Sequence, residues 1–169
     1  MNILITGGAG FVCSHIADKL NDENHNLILL DNLLTGNKKN IEHLLDNKNV
    51  KFIEHDVQDH IEIAEDLDFI FHFASAASPI AYQENPVNTL KAGSVGTINT
   101  LGLAKAKNAD FLLASTSEIY VILKFHLKMK NIGEMLTLMV KEVCTMRLRD
   151  SLKQQLQLIV GHIILTLKL

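Results

Sequence analysis

A glycine-rich turn at residues 6–10 carries the first chemical signal in the chain. Gly7 and Gly10 follow a short apolar run and directly precede a segment with helical spacing. In such a turn, the first glycine permits a tight bend after a strand, and the second lets the backbone approach a pyrophosphate. The N-terminus of the following helix offers N–H groups and a positive dipole to the anion. The spacing therefore predicts the phosphate site of a dinucleotide.

Asp31 ends the second apolar run, about 20 residues after the glycine turn, where dinucleotide-binding chains place an acidic residue. A carboxylate here can accept hydrogen bonds from the adenosine ribose, and it would repel a 2′-phosphate. The residue therefore favours NAD over NADP as the cofactor. The alternative interpretation is an ordinary aspartate that caps a loop.

Cys13 stands where the third glycine of the G-x-x-G-x-x-G pattern is expected. That glycine normally lets the helix and the strand pack closely. A thiol side chain there is expected to push the helix outward or strain the loop, and so to weaken the site. A redox role for the thiol is the other interpretation.

The elements that must position these residues alternate between strand and helix. Buried strands are predicted at 2–6, 27–31, 50–53, 69–73 and 111–114, and helices at 11–20, 41–45 and 87–105, with a loop at 32–40. Pro86 marks the start of the long third helix. Apolar strands that alternate with helices predict an α/β fold with a Rossmann-like, doubly wound parallel sheet that ends after about its fifth strand.

Composition excludes several other classes of protein. The 169 residues are 47% hydrophobic and 21% charged with a net charge of −3, which is typical of a globular domain and gives no basic field for nucleic acid. The apolar run at 159–167 is too short to span a membrane, and the first residues lack the features of a signal peptide. Two cysteines, Cys13 and Cys144, suit a reducing compartment. We expect a cytoplasmic protein without nucleic-acid, membrane or metal partners.

Longer segments resemble a known family. The strings TGGAGFVCSH, LDNLLTGNKKNIEHL, FHFASAASPIAYQENPVNTLK and VGTINTLGLAKAKNADFLLASTSEIY resemble the extended short-chain dehydrogenase/reductase family of NAD-dependent epimerases and dehydratases. Within that family, ASPIAYQENP and LLASTSE are most similar to UDP-glucuronate decarboxylases (UDP-xylose synthases). The resemblance covers residues 1–120, which we predict to be an NAD-binding Rossmann half.

The resemblance implies a role for each matching residue. For NAD, the implied contacts are Gly7, Gly10, Phe11 and Val12 at the phosphates; Asp31, Asn32, Thr35 and Gly36 at the ribose; Asp56 and Val57 at the adenine; and Phe73, Ala74 and Ser75 at the nicotinamide. Tyr82, Lys91 and Asn99 would lie near the sugar nucleotide, and Thr116, Ser117 and Glu118 would be catalytic. Gly93 departs from the asparagine of many members, which removes a polar contact.

The family's reaction would be a hidden redox cycle on UDP-glucuronate. NAD⁺ would take hydride from C4 of the sugar, the resulting β-keto acid would lose CO₂, and returned hydride would give UDP-xylose. Ser117 and Glu118 would assist at the carbon that bears the carboxylate. The tyrosine of a Tyr-x-x-x-Lys motif would be the general base, with its pKa lowered by the lysine. Family members commonly form homodimers through helices, here including residues 86–105.

The resemblance stops abruptly after Tyr120. Tyr120 belongs to the motif of the fifth strand, and no tyrosine follows it, so the family's later Tyr-x-x-x-Lys is missing from its place. One guanine restored after the Tyr120 codon lets the codons of residues 121–123 be read as Gly-Asp-Pro. In the same frame residues 132–141 can be read as Trp-Gly-Asn-Val-Asn-Pro-Asn-Gly-Lys, and residues 142–151 contain Tyr-Asp-Glu-Ala-Lys. We therefore interpret residues 121–169 as a frame-shifted, non-homologous tail of helical character.

The sequence is compatible with three interpretations of function. The first is an N-terminal fragment of an NAD-dependent UDP-glucuronate decarboxylase that is inactive as this chain, because the general base and the substrate domain are missing. The second is a fragment of a nucleotide-sugar 4-epimerase or 4,6-dehydratase. The third is a non-catalytic remnant that binds NAD. A genuine amphipathic helix over residues 131–158 is the alternative interpretation of the tail.

Overall fold

The computed structural model describes residues 1–114, which form a parallel sheet with helices on both faces. Its strands are β1 (Asn2–Thr6), β2 (Asn26–Asp31), β3 (Val50–Glu54), β4 (Phe69–His72) and β5 (Asp110–Leu113). They are arranged in the order β3-β2-β1-β4-β5, and each neighbouring pair is parallel. The strand order therefore reverses direction between β1 and β4. Ligands of such sheets bind at this switch point, outside the carboxyl ends of the strands.

Four α-helices connect these strands. They are α1 (Phe11–Asp22), α2 (Pro79–Glu84), α3 (Pro86–Lys91) and α4 (Thr97–Lys107). A π-helical segment, Ala92–Gly96, joins α3 to α4, and two 3₁₀ turns, Lys38–Asn40 and Glu42–Leu44, lie between β2 and β3. The long chain between β4 and β5 is thus helical from Pro86 onwards, as its proline signal predicts.

The sheet is buried on both faces, and this explains its uninterrupted apolar strands. On β1, Ile3 and Ile5 face a core beneath α1, whereas Leu4 belongs to a second core with residues of α4. The two cores share the sheet as their common wall, so successive residues of one strand are all covered. The prediction of a Rossmann-like, doubly wound parallel sheet is confirmed.

Local details differ from the sequence-based expectation in the helical regions. Helix α2 was not predicted, and the helix predicted over 87–105 consists of α3, the π-helical segment and α4. The short helix predicted at 41–45 is a single 3₁₀ turn. Asn85 separates α2 from α3 with φ −126° and ψ 57°, because a residue before proline is disfavoured in the α region.

No helix within residues 1–114 is long and apolar enough to cross a membrane. The predicted tail over 121–169, the boundary at residue 120 and Cys144 all lie outside the described residues.

Candidate functional site

The glycine turn lies wedged between the carboxyl ends of three strands. The N–H of Gly7 donates to the carbonyl of Leu30 at 2.8 Å, and the N–H of Gly10 donates to the carbonyl of Gly7 at 3.0 Å. Gly7 has φ +75°, and a Cβ added there would lie 3.0 Å from the backbone of both Phe73 and Ala74. Only glycine fits this position without strain. The turn is therefore fixed closely against the residues predicted to line the nicotinamide.

The N-terminus of α1 fits an anion. The N-cap residue is Gly10, which has no side chain to occupy the N–H groups of the first turn, and that turn contains no acidic residue. Phe11 and Val12 begin the helix with 76% and 55% of their surface exposed, so solvent reaches this end. The first N–H groups of any α-helix lack partners within the helix. Together these features suit the pyrophosphate of a dinucleotide.

Asp31 lies at the end of β2 with 7% of its surface exposed. One carboxylate oxygen accepts a hydrogen bond from the N–H of Ala9 at 3.0 Å, and the other accepts one from the N–H of Leu33 at 2.8 Å. A Cβ added at Gly36 would lie 2.8 Å from each oxygen, so the loop passes directly over the carboxylate. Asp31 therefore joins the glycine turn to the loop after β2. It also keeps acceptor capacity for ribose hydroxyls, since two oxygens offer about four lone-pair sites.

The thiol of Cys13 packs into the core beneath α1, with 2% of its surface exposed. Helix α1 begins at Phe11, and the N–H of Ser14 still bonds to the carbonyl of Gly10 at 3.0 Å. Burial, with a smaller contribution from the charge of Asp31, raises the pKa of the Cys13 thiol to about 12. A thiol that stays protonated is a poor nucleophile, which argues against a redox role.

The close approach of the turn to a strand occurs at a different glycine from the one expected. A Cβ added at Gly8 would lie 2.9 Å from Cβ of Leu29 on β2. The pattern predicts close packing of the helix on the strand at the position of Cys13, which lies inside α1, whereas Gly8 precedes that helix. The contact at Gly8 was missed because the G-x-x-G-x-x-G pattern does not include it.

The loop after β3 brings the predicted adenine residues together. Asp56 accepts hydrogen bonds from the side-chain amide of Asn32 at 2.8 Å and from the N–H of Gln58 at 2.9 Å. Val57 is buried in the second core. Thr35 is exposed on the loop after β2, next to Gly36. The structure therefore groups the predicted ribose and adenine residues at the ends of β2 and β3.

A buried histidine organises the end of β4. The Oγ1 atom of Thr6 lies 2.7 Å from Nδ1 of His72, and the Oγ1 atom of Thr97 lies 3.2 Å from Nε2. Thr97 donates to the carbonyl of Gly93 at 3.0 Å, and Thr6 accepts from the N–H of Ala74 at 3.4 Å. Both ring nitrogens of His72 have a hydrogen-bond partner in this network when Thr6 donates to Nδ1 and Nε2–H donates to Thr97. His72 thus links β1, β4 and α4 directly beneath the predicted nicotinamide residues Phe73, Ala74 and Ser75.

We expect His72 to make the fold sensitive to acid. Burial lowers its pKa from 6.5 to about 4, so the unfolded chain takes up this proton at a higher pH than the folded chain does. The contribution of neutral His72 to the free energy of unfolding is therefore fully present well above pH 6.5. It decreases as the pH drops, by about 3 kcal/mol on reaching pH 4. Urea denaturation of the wild type and of His72→Gln between pH 4 and pH 7 gives the free energy of unfolding of each. We expect this free energy to depend more steeply on pH in the wild type. Parallel pH profiles would contradict the assignment.

The residues predicted near the sugar nucleotide lie on the helices that follow β4. Tyr82 is half-buried on α2, and Lys91 is exposed at the end of α3. Asn99 lies on α4, and its side-chain nitrogen contacts the loop after β3. The predicted catalytic residues Thr116, Ser117 and Glu118 lie outside the described residues. Within residues 1–114, no cluster of three His, Cys, Asp or Glu side chains could hold a metal ion.

Some features of the site were not predicted from the sequence. The partners of the buried His72, Thr6 and Thr97, were not identified from the sequence, although a polar residue at the carboxyl end of a buried parallel strand is a signal for such contacts. Tyr120 and Lys124 also have the Tyr-x-x-x-Lys separation. Both residues lie outside the described part of the chain.

Comparison with known proteins finds similar decarboxylases and epimerases. UDP-glucuronic acid decarboxylase 1 of Danio rerio is 52% identical over 118 residues, which are 70% of this chain and 28% of that protein. The crystal structure of UDP-glucose 4-epimerase with UDP-glucose from Thermotoga maritima is 32% identical with a TM-score of 0.61, covering 69% of this chain and 38% of that one. The UDP-glucose 4-epimerase structure from Stenotrophomonas maltophila, which contains bound NAD, is 25% identical with a TM-score of 0.60, over 71% of this chain and 38% of that one.

The chain spans between about a quarter and a third of the length of these decarboxylases, from 26% to 35% of each. The model of the NAD dependent epimerase/dehydratase family matches residues 3–125, which include the glycine turn, Asp31, and the ends of all five strands. This chain belongs to the NAD dependent epimerase/dehydratase family.

Proposed function

We propose that the chain carries the NAD-binding half of a UDP-glucuronate decarboxylase, an enzyme that converts UDP-glucuronate to UDP-xylose and CO₂ through a 4-keto intermediate. The observation that carries this proposal is the 52% identity to a UDP-glucuronic acid decarboxylase over 118 residues. The epimerase structures match the same region at lower identity, 32% and 25% in the two cases above.

Each part of the described site has a role in this proposal. The N–H groups at the start of α1, from Phe11 and Val12 onwards, would hold the pyrophosphate. Asp31, with Asn32, Thr35 and Gly36 beside it, would hold the adenosine ribose and select NAD over NADP. Bound NAD⁺ would supply a reversible acceptor for the hydride at C4 of the sugar.

The substrate side of the proposed site consists of residues on the helices after β4 and of residues 116–118. Tyr82 and Lys91 would contact the sugar nucleotide from α2 and α3. Thr116, Ser117 and Glu118 would lie at the reacting carbons and assist the loss of CO₂ and reprotonation. The family's general base is missing from its place in the sequence, so we propose that this chain is inactive as translated and that its tail from residue 121 is out of frame.

We also propose a cytoplasmic homodimer as the setting of the complete enzyme. The helices after β4 expose apolar side chains, with Val87 on α3 at 62% and Ile98 on α4 at 59% exposure. Exposed apolar residues clustered on neighbouring helices favour association with another protein surface.

A sister activity is the second candidate. The solved structures with a similar fold include UDP-glucose 4-epimerases, whose site would use the same glycine turn and ribose carboxylate. A nucleotide-sugar 4-epimerase or 4,6-dehydratase, or a remnant that only binds NAD, is therefore distinguished from a decarboxylase by product analysis.

The test compares the 169-residue chain with the product of the same gene after one guanine is restored behind the Tyr120 codon. We expect both proteins to bind NAD⁺ by calorimetry, and only the frame-restored protein to release CO₂ and UDP-xylose from UDP-glucuronate. Turnover by the 169-residue chain would refute its inactivity. Epimerised or dehydrated sugar without CO₂ would establish a sister activity. Failure of both proteins to bind NAD⁺ would overturn the proposal.

A further inference from the structure

The side chain of Asn99 converges on three consecutive backbone carbonyls. Its amide nitrogen lies 3.0 Å from the carbonyl oxygen of Val57, 3.0 Å from that of Gln58 and 3.1 Å from that of Asp59. An amide NH₂ group has only two hydrogens, so the three acceptors share them. The contact spans about 40 residues of sequence and joins α4 to the loop after β3.

The same loop lies unusually close to the backbone of the helical segment that precedes Asn99. A Cβ added at Gly96 would lie 2.6 Å from Cγ2 of Val57, so any side chain there would displace the side chain of Val57. Val57 is 4% exposed and packs in the core that includes Leu103 and Ala104 of α4. Packing and hydrogen bonding therefore hold this loop at one position on the helix.

The other side of the loop faces the nucleotide-binding edge of the sheet. Asp56 is bonded to Asn32, the residue after the ribose carboxylate of Asp31. Gln58 contacts Asp56 at 3.3 Å and the side-chain oxygen of Asn88 on α3 at 3.4 Å. The predicted adenine residues Asp56 and Val57 thus stand between Asn32 on one side and Asn99 on the other.

We propose that Asn99 is a positioning residue of the adenosine half of the cofactor site. Its amide group fixes the backbone of residues 57–59, and through them the surface that the adenine of a bound dinucleotide contacts. This assignment rests on the proposed function for the identity of the ligand. The side-chain nitrogen of Asn99 is committed to the three carbonyls, so its predicted role beside the sugar nucleotide would fall to its side-chain oxygen.

The test uses the full chain with Asn99→Ala and Asn99→Asp. Alanine removes the donor, and aspartate places an acceptor against three other acceptors, so aspartate should have the larger effect. Asn26→Ala is the matched control, since the side-chain amide of Asn26 bonds to Asn2 at 2.8 Å at the opposite, amino end of the sheet.

The first measurement is amide hydrogen exchange without ligand. We expect peptides that contain residues 56–60 to exchange about tenfold faster in Asn99→Ala, while the β1 and β2 peptides keep their wild-type rates. Wild-type exchange in the loop of this variant would overturn the proposal.

The second measurement separates positioning from general loss of structure. We expect the dissociation constant of NAD⁺ to rise about tenfold in Asn99→Ala, and that of nicotinamide mononucleotide, which lacks the adenosine, to stay unchanged. Equal weakening of both ligands, or selective loss of UDP binding, would overturn the proposal. A wild-type chain that binds no NAD⁺ would refute the proposed function instead, and the exchange rates would then decide alone whether Asn99 holds the loop.

Discussion

Replacement of Asp31 with alanine is expected to weaken NAD⁺ binding by about 100-fold, since hydrogen bonds to a charged group are worth about 1.5–3 kcal/mol each. Two effects combine. The carboxylate that would accept the ribose hydroxyls is lost, and the N–H groups of Ala9 and Leu33 lose their acceptor. The glycine turn then remains joined to the loop after β2 by the bonds that Asn37 and Asn40 donate to the carbonyl of Ala9, so the phosphate site loses part of its alignment as well.

Calorimetry with NAD⁺ and NADP⁺ measures this effect. Asp31→Asn removes the charge and replaces one of the two acceptor oxygens with an NH₂ group, so either Ala9 or Leu33 loses the acceptor of its N–H. We expect this variant to raise the affinity for NADP⁺ relative to NAD⁺, because the repulsion of the 2′-phosphate disappears. Asp46→Ala, at an exposed aspartate outside the predicted cofactor site, is the control. An unchanged ratio of the two affinities in Asp31→Asn would contradict the role of Asp31 in cofactor choice.

Gly7→Ala should produce the largest loss of stability among the glycine variants, about 3 kcal/mol in the free energy of unfolding. The residue has φ +75°, which disfavours any side chain, and the new Cβ would press on the backbone of Phe73 and Ala74 at 3.0 Å. These neighbours are main-chain atoms at the end of a buried strand, so they cannot turn aside as a side chain would.

Gly102→Ala provides the matched control for this experiment. A Cβ at Gly102 meets nothing within 4 Å, and the residue lies exposed in the middle of α4. Alanine there should stabilise the chain by about 0.5–1 kcal/mol, since it is the better helix former. Urea denaturation of both variants measures these changes in the free energy of unfolding. Equal stability of Gly7→Ala and the wild type would show that the turn is not held against β4.

The strands and the glycine turn could be predicted because their signals are local. Ile3 to Ile5 and Leu27 to Leu30 are apolar in succession since each residue faces one of two cores, and Gly7 and Gly10 hold their places in a short pattern. Asp31 was found by its distance along the chain from that pattern. Each of these features depends on residues that are close together in the sequence, so the sequence alone predicts it.

Other features depend on contacts between distant residues. Helix α2 has the same proline signal as α3, with Pro79 in its first turn, but only six residues and hence little periodicity to detect. The contact of Asn99 with the carbonyls of residues 57–59 and the bonds of His72 to Thr6 and Thr97 require the fold to be known. The π-helical turn at Ala92–Gly96 is equally invisible, since nothing in these residue types specifies one extra residue in a turn.

The π-helical segment Ala92–Gly96 affects where the chain tolerates insertions and deletions. A π-helical turn amounts to one residue more than an α-helix needs at that point, and each residue of an α-helix turns the next by about 100°. Deletion of one residue within 92–95 would leave a regular helix with Gly96, Thr97 and Thr100 still facing the core. The same deletion inside α4 would rotate the residues beyond it and expose Ala104. Insertions and deletions are therefore expected to collect at residues 92–96 among related sequences, while α4 keeps a constant length.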